Sequence, residues 1–153
     1  MNLDLDDRGL ITPCGHCGRP NRLAWPRLSE HVRCAQCKQD LALPSSPLEV
    51  VSSSDFDTLV ERSTLPIIVD YWAPWCAPCR MVAPELEKVA NRNAGRFLVV
   101  KVNTDVLSDL GQRFGIRSIP TMAVFANGRE KARAAGARPA AEIEAFVNEA
   151  LGV

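Results

Sequence analysis

Residues 66–80 read Pro-Ile-Ile-Val-Asp-Tyr-Trp-Ala-Pro-Trp-Cys-Ala-Pro-Cys-Arg, and this stretch decides the fold. It begins within residues 65–71, a β-branched apolar run typical of a buried central strand. It ends in a Cys-x-x-Cys pair that opens a segment with helical apolar spacing, residues 77–93. The sequence therefore predicts a strand, two cysteines and a helix in immediate succession.

Strand and helix signals alternate through the rest of the chain from residue 48. In order, we predict a strand at 48–51, a helix to residue 62 capped by Ser54, the strand at 65–71, the helix at 77–93 with a kink at Pro84, a strand at 97–102, a helix at 106–114, a hairpin at 121–135 around Asn127-Gly128, and a helix at 140–151. This order indicates an α/β fold.

The other four cysteines form two Cys-x-x-Cys pairs in the polar, turn-rich segment 11–43. They are Cys14, Cys17, Cys34 and Cys37. Two such knuckles, separated by residues 18–33, match the pattern of a structural zinc site in which four thiolates complete a tetrahedron. Zinc can supply about 10–16 kcal/mol to a segment with too few apolar side chains to fold alone. The alternatives are two disulfides, four free thiols, or ligation by His16 or His31.

Residues 43–47, Leu-Pro-Ser-Ser-Pro, read as a linker because prolines and serines discourage both helix and strand. We therefore divide the chain into an N-terminal zinc-binding module with its linker, residues 1–44, and a second domain, residues 45–153. Residues 1–10 are polar, and we expect them to be loosely ordered.

Cys76 and Cys79 differ from the first four cysteines because they stand between a strand and a helix. The free N–H groups and dipole at the start of a helix favour an anion, so we expect the pKa of an exposed Cys76 to be lowered. Cys76 would then attack a disulfide, and Cys79 would resolve the mixed disulfide. The alternatives, a third metal knuckle or buried packing, are disfavoured because no further cysteine pair remains to complete four ligands.

Residues 66–80 resemble the active-site strand and cysteine pair of the thioredoxin family. Two further stretches share the likeness: Ile116-Arg-Ser-Ile119-Pro120-Thr121, and the hairpin with Asn127-Gly128 and Gly136. The likeness covers residues 48–153. With the four-cysteine module in front, the whole chain resembles the bacterial zinc-containing thioredoxin-2 type. The resemblance implies a thioredoxin fold, in which helices flank a central mixed β-sheet, with a small zinc-ribbon-like module.

The resemblance also assigns catalytic roles. Cys76 would be the nucleophile and Cys79 the resolving thiol. Asp70 would be a buried carboxylate beneath the disulfide, and its raised pKa would let it take and return the Cys79 proton. Lys101 would be the cation near Asp70.

For substrate binding, the resemblance makes Pro120 a cis-proline that leaves the Ile119 backbone free to pair with an extended substrate. The implied docking surface consists of Trp75, Ala77, Pro78, Ile119, Pro120, Ala135 and Gly136. Trp72 is expected beside the site. Trp25 belongs to the N-terminal module, and we expect it to cover either the linker or the domain junction. The chain departs from the family at Ala77, where most thioredoxins have glycine.

These features predict a thiol–disulfide oxidoreductase that reduces protein disulfides and is recharged by an NADPH-dependent thioredoxin reductase. The chain has no Gly-x-Gly-x-x-Gly fingerprint, so electrons would arrive by disulfide exchange. The alternatives are a disulfide isomerase or oxidase, and a redox-gated sensor that releases zinc and exposes a binding surface.

The composition limits partners and location. Lys plus Arg and Asp plus Glu each total 18, so no basic excess predicts binding to nucleic acid or anionic membranes. The acidic start, Met-Asn-Leu-Asp, is unlike a secretory signal, and no apolar run approaches the roughly 20 residues that span a bilayer. We therefore expect the protein to stay in the cytoplasm. We also expect it to be a monomer.

Overall fold

The computed structural model describes all residues from Met1 to Val153. Its N-terminal part is a small antiparallel sheet followed by one 3-10 turn. The elements are β1 (Leu5–Asp6), β2 (Gly9–Pro13), β3 (Pro20–Ala24) and the 3-10 turn Trp25–Arg27, with the sheet order β1-β2-β3.

The rest of the chain has the predicted order of strands and helices. The elements are β4 (Leu48–Glu49), α1 (Ser53–Arg62), β5 (Ile67–Trp72), α2 (Ala77–Arg92), β6 (Leu98–Asn103), α3 (Ser108–Arg113), β7 (Thr121–Ala126), β8 (Arg129–Ala135) and α4 (Ala140–Leu151). No helix in the structure combines the length and the apolar character that crossing a membrane requires.

The five-stranded sheet has the order β4-β6-β5-β7-β8. Strands β4, β6 and β5 are parallel, whereas β7 and β8 are antiparallel to their neighbours, so the sheet is mixed. Strand β5 lies at its centre, and its residues 67–71 are buried, as its apolar sequence predicts. The expected architecture, a central mixed sheet flanked by helices, is confirmed.

Each face of this sheet packs into its own hydrophobic core. One face, with Ile68 and Val124, is covered by residues of α2 and α4 such as Leu86 and Ile143. The other face packs against α1 and α3 through a larger cluster of side chains that includes Phe56. Because side chains alternate along a strand, Asp70 and Trp72 point to the same face as Ile68, the face that α2 covers.

The start of α1 differs by two residues from the prediction. Ser52, not Ser54, is the N-cap, and its hydroxyl oxygen accepts the backbone N–H of Asp55 at 3.2 Å. Ser54 lies inside the helix. Three consecutive serines at 52–54 offer the same capping chemistry, so the sequence alone does not select among them.

The expectation that residues 1–10 are loosely ordered is wrong. Leu3 and Leu10 are only 2% and 1% exposed. The N–H of Leu3 donates to the carbonyl of Glu49 at 2.8 Å, and the N–H of Glu49 donates to the carbonyl of Met1 at 3.0 Å. These bonds add the first residues to the edge of the large sheet beside β4, and burial of the two leucines stabilises the arrangement.

The N-terminal segment and the large sheet share one hydrophobic core. Leu23, Trp25 and Leu28 belong to the same cluster of buried side chains as Leu59 of α1. Trp25 is 4% exposed, and its carbonyl accepts the hydroxyl of Thr64. Trp25 therefore packs between the N-terminal segment and the large sheet, which is one of the two places expected for it.

Candidate active site and metal centre

Cys76 and Cys79 lie at the start of α2 and are joined by a disulfide, with their Cα atoms 5.2 Å apart. Cys76 is the N-cap residue, and its Sγ accepts the backbone N–H of Cys79 at 3.2 Å. Pro78 occupies the first helical turn, where its missing N–H costs no hydrogen bond. Local sequence therefore directs one sulfur, that of Cys76, at the positive end of the helix.

Cys76 is less accessible than the sequence suggested. We expected an exposed thiol, but Cys76 is 4% exposed in this oxidised form. Its Sγ lies 3.7 Å from the carbonyl oxygen of Ile119, because the loop before β7 stands over the disulfide. This loop therefore borders the Cys76 sulfur directly.

The loop over the disulfide contains a cis peptide bond between Ile119 and Pro120, the isomer that the resemblance implies. The carbonyl of Pro120 accepts the N–H of Gly136 at 2.8 Å, and Thr121 pairs with Ala135 in the sheet. These contacts bring the end of β8 beside the loop.

The residues expected to bind substrate lie in three segments: the start of α2 with the disulfide, the loop before β7, and the end of β8. Trp75, Ala77, Pro78, Ala135 and Gly136 are exposed, Ile119 is half-buried and Pro120 is buried. Trp75 is 68% exposed, and its indole N–H donates to the carboxylate of Asp105, at 3.1 Å from Oδ2. Asp105 therefore holds a large apolar ring open to solvent, a role that sequence reasoning missed.

Asp70 is buried as expected, at 1% exposure. Neither of its carboxylate oxygens has a hydrogen-bond partner. Burial raises the pKa of Asp70 to about 7; the charge of Lys101 lowers the pKa and that of Glu49 raises it. A carboxyl group with this pKa can both hold and release a proton near neutral pH.

Lys101 and Asp70 are paired residues on the neighbouring strands β6 and β5. The ammonium group of Lys101 lies 4.3 Å from the centre of the Trp72 ring. The indole N–H of Trp72 in turn donates to Glu49 at 3.0 Å. Sequence reasoning placed Lys101 near Asp70 but did not identify Glu49.

Cys14, Cys17, Cys34 and Cys37 come together. Their four sulfur atoms all lie within 4.8 Å of one another. The Sγ atoms of Cys14 and Cys37 are 3.7 Å apart, and those of Cys17 and Cys34 are 3.6 Å apart. A tetrahedral zinc site with Zn–S bonds of about 2.3 Å has sulfur–sulfur edges of about 3.8 Å, so the spacing fits a metal and excludes two disulfides in this conformation.

The two histidines stand outside the cluster. His16 is exposed and contributes only its backbone N–H, which donates to the Cys14 sulfur at 3.4 Å. His31 pairs with the carboxylate of Asp40 at 2.7 Å. The donor set that the structure assembles is therefore the four cysteines.

N–H groups directed at the sulfurs favour thiolates in this cluster. The pKa of Cys34 is lowered to about 5, chiefly by the backbone N–H of Cys37. The side-chain amide of Asn21 also lowers it, and together these effects outweigh desolvation, which raises it. For Cys37, the lowering effect of the Gln39 N–H is outweighed by desolvation and the neighbouring thiols, and the pKa rises to about 11. Four thiolates this close repel one another, so a cation is needed for all four to ionise together.

Asn21, which sequence reasoning missed, links the two knuckles. Its amide nitrogen donates to the Cys34 sulfur at 3.4 Å and to the carbonyl of Arg19 at 2.9 Å. Its amide oxygen accepts the N–H of Ala35 at 3.0 Å. One buried side chain thereby fixes the position of the second knuckle relative to the first.

Comparisons with known proteins agree with this geometry. The sequence model of the thioredoxin family matches residues 47–149 of this chain. Thioredoxin C-3 of Corynebacterium nephridii is 35% identical over 142 residues, which cover 93% of this chain and 96% of that protein. Thioredoxin of Haemophilus influenzae is 40% identical over 99 residues, which cover 65% of this chain and 92% of that protein.

Solved structures of similar proteins include two thioredoxins. A mutant thioredoxin from Halobacterium salinarum NRC-1 superposes with a TM-score of 0.65 at 26% identity, covering 71% of this chain and 93% of that one. The thioredoxin of Malassezia sympodialis gives a TM-score of 0.62 at 30% identity, covering 70% and 93%. Because the family match covers residues 47–149 and a relative of 35% identity is covered over nearly its whole length, the chain belongs to the thioredoxin family of protein-disulfide oxidoreductases.

Proposed function

We propose that this protein is a protein-disulfide reductase of the bacterial zinc-containing thioredoxin-2 type, with Cys76 as its nucleophile. The observation that carries the proposal is the hydrogen bond from the Cys79 N–H to the Cys76 sulfur at the start of α2. In the reduced protein this arrangement stabilises a thiolate at position 76 and leaves Cys79 as the second thiol.

The reaction proceeds in two exchange steps. The Cys76 thiolate attacks one sulfur of a substrate disulfide, forms a mixed disulfide, and releases the other substrate sulfur as a thiolate that takes a proton. Cys79 then loses its proton and attacks the Cys76 sulfur, which forms the Cys76–Cys79 disulfide and releases the second substrate thiol. The protein gives the substrate two electrons. The two substrate sulfurs take up two protons, of which one balances the proton that Cys79 loses and the other comes from solvent, because Cys76 reacts as a thiolate.

Asp70 is the group that takes the proton from Cys79 in the second step. Its burial, its unpartnered oxygens and its pKa of about 7 support this role, because a carboxylate of ordinary pKa would be a much weaker base. Lys101 stabilises the carboxylate whenever it forms, since the two residues are paired across β5 and β6.

Substrates dock on the exposed apolar surface beside the disulfide, and they pair with the Ile119 backbone in an extended conformation. The support for this is the open ring of Trp75 on one side and the exposed Ala135 and Gly136 on the other. Ala77 adds a methyl group to this surface.

Cys14, Cys17, Cys34 and Cys37 would hold one zinc ion. When bound, zinc supplies a fixed crosslink between the two knuckles, and four thiolates leave no open coordination position for catalysis. On this proposal residues 1–44 form a structural module and linker, and residues 45–153 form the catalytic domain. The sulfur separations of 3.6 and 3.7 Å support the assignment.

A thioredoxin reductase that uses NADPH would return the protein to its dithiol form by disulfide exchange, and the cytoplasm is the compartment in which this cycle would run. Support comes from the chemistry of the pair itself, since a dithiol that reduces other proteins must be re-reduced after each turnover. We expect the protein to act as a monomer.

Reduction of insulin by dithiothreitol with catalytic amounts of the protein tests the proposal. We expect Cys76→Ser to abolish catalysis. Cys79→Ser should instead accumulate a mixed disulfide at Cys76, which intact-mass measurement detects. If Cys79→Ser gave no adduct while Cys76→Ser did, the assignment of nucleophile and resolving thiol would be reversed.

Redox-gated release of zinc is a second candidate function. It is favoured by Cys17, which is exposed although it belongs to the cluster, so an oxidant can reach it. The module also shares its core with the large sheet, so loss of the metal would uncover apolar surface such as Trp25. This candidate predicts that peroxide releases zinc from the reduced protein, and it fails if peroxide oxidises Cys76 and Cys79 without metal release.

A further inference from the structure

We propose that Glu49 is a positioning residue for the proton on Asp70. It shares the charge of Lys101 with Asp70 and so keeps Asp70 able to hold a proton near neutral pH. This inference rests on the proposed function, because it concerns the group that takes the Cys79 proton.

The three residues form one row across three neighbouring strands. Asp70 on β5 is paired with Lys101 on β6, and Lys101 is paired with Glu49 on β4. Paired residues of neighbouring strands point to the same face of a sheet, so the three side chains lie side by side on the face that α2 covers. Lys101 therefore occupies the middle position of the row, between the two acidic residues.

Trp72 contacts two of the three residues of this row, Glu49 and Lys101. Its indole N–H donates to the Oε2 atom of Glu49 at 3.0 Å, while the ammonium group of Lys101 lies 4.3 Å from the centre of its ring. Trp72 is two residues beyond Asp70 on the same strand and therefore on the same face. One aromatic ring thus holds both Glu49 and Lys101 beside the Asp70 site.

The backbone of Glu49 is fixed as well. Its N–H donates to the carbonyl of Met1 at 3.0 Å, and its carbonyl accepts the N–H of Leu3 at 2.8 Å. These two bonds make the short strand β4 an internal strand at this position. The carboxylate of Glu49 therefore projects from a strand that is bonded to the N-terminal segment on one side and to β6 on the other.

Two charges act on Asp70 in this environment: Lys101, which favours the carboxylate, and Glu49, which opposes it. Residue Met122, which pairs with Asp70 from β7, carries no charge. Glu49 itself is half-buried, and the charges of Lys101 and of the α-amino group of Met1 act on it. Because Lys101 is shared, the Asp70 carboxylate receives less stabilisation than a pair with Lys101 alone would give.

The magnitude follows from the strand spacing. Adjacent strands are about 4.8 Å apart, so the two carboxylates are separated by roughly 10 Å. A unit charge at that distance, in surroundings of effective dielectric constant ~20–40, changes a pKa by about half a unit to one unit. Removing the charge of Glu49 should therefore lower the pKa of Asp70 by that amount.

The test is a carbon-13 NMR titration of the oxidised protein labelled at the aspartate side-chain carboxyls, with Asp70→Asn to assign the Asp70 signal. Glu49→Gln keeps the volume and the acceptor for Trp72 but removes the charge. We expect the Asp70 midpoint to fall by about half a pH unit to one unit in this variant. Glu61→Gln, which removes an exposed carboxylate on α1, is the matched control and should leave the midpoint unchanged.

An unchanged or raised Asp70 midpoint in Glu49→Gln would overturn the proposal. A second measurement needs no variant of Glu49. In the unsubstituted protein labelled at both carboxyl types, the Asp70 signal should show a second inflection at the pH where the Glu49 signal titrates, because interacting groups report each other's ionisation. Absence of that inflection would also count against it.

The same experiments separate this proposal from the proposed function. If Asp70 takes the Cys79 proton, the rate of mixed-disulfide resolution should rise with pH near pH 7, as Asp70 becomes deprotonated. This rise is the acid limb of the pH–rate profile, and Asp70→Asn should remove it. If that limb is lost in Asp70→Asn but stays in place in Glu49→Gln, Glu49 has no positioning role while the proton acceptor stands. If Asp70→Asn leaves the limb intact, both proposals fail.

Discussion

Replacing Asp70 with asparagine should stabilise the oxidised protein, and the gain should grow with pH. The pKa of Asp70 is about 7 in the folded protein and 3.8 in its ordinary state. Between these values the folded state holds a proton that the unfolded state has lost, so stability falls as pH rises through the interval. Asparagine has no charge to bury and escapes this loss.

The two pKa values differ by about three units, and each unit corresponds to about 1.4 kcal/mol, so the full penalty above pH 8 is about 4 kcal/mol. Most of it, about 3 kcal/mol, develops between pH 5 and pH 8.5. Both oxygens of Asp70 already lack partners, so the amide of asparagine leaves a similar number of unsatisfied groups. The cost of these unsatisfied groups does not depend on pH. The part of the stability gain that changes with pH therefore reports only the cost of burying the Asp70 charge.

Urea denaturation of the oxidised protein at pH 5 and pH 8.5 measures the effect. With a slope of about 2 kcal/mol per molar urea, the advantage of Asp70→Asn should widen by about 1.5 M between the two pH values. Asp4→Asn, at an exposed carboxylate near the start of the chain, should show no such widening. An advantage of Asp70→Asn that is equal at both pH values would refute the argument from a buried carboxylate.

Three further predictions address other parts of the molecule. Trp25→Ala should lower the free energy of unfolding by about 3–5 kcal/mol because Trp25 is buried. Trp75→Ala should leave that free energy nearly unchanged but lower kcat/KM for insulin reduction, since Trp75 is 68% exposed. Asn21→Ala should still bind zinc but release it faster to a chromogenic chelator, because Cys34 loses an N–H donor and the knuckles lose their link; equal release rates would contradict that role.

The element order from residue 48 onward was predictable because each element carries its own local signal. The β-branched run before Cys76 predicts a buried strand, and Asn127-Gly128 predicts the turn between β7 and β8. Both are found at the expected places. The errors at element ends, such as the choice of Ser52 over Ser54 as a cap, arise where neighbouring residues offer the same chemistry.

The order of residues 1–10 was missed because it depends on contacts far away in the sequence. Leu3 is ordered by pairing with Glu49 and by burial in the shared core. A short polar segment with isolated leucines has no period that would reveal such a partner. The segment is ordered by hydrogen bonds to the free edge of β4, and that edge forms only when the sheet has assembled.

In the candidate site, too, the residues that carry a local sequence signal were predictable and the residues that depend on distant contacts were not. The cysteine pairs were identifiable from spacing alone, because two intervening residues suffice to turn a knuckle or to open a helix. Asn21 and Glu49 gave no such signal, since their roles arise from register between strands and between knuckles. An acidic residue within a predicted strand was the one clue to Glu49, and it does not indicate a partner by itself.

The central claim is that the start of α2 stabilises negative charge on the Cys76 sulfur. Alkylation of the fully reduced protein with limiting iodoacetamide, mapped by peptide mass spectrometry from pH 5 to pH 9, tests it most directly. The account predicts that Cys76 is modified well before Cys79, and already at pH values where an unstructured cysteine peptide hardly reacts. Equal modification of both thiols, faster modification of Cys79, or a pH dependence for Cys76 that matches the peptide would contradict the account.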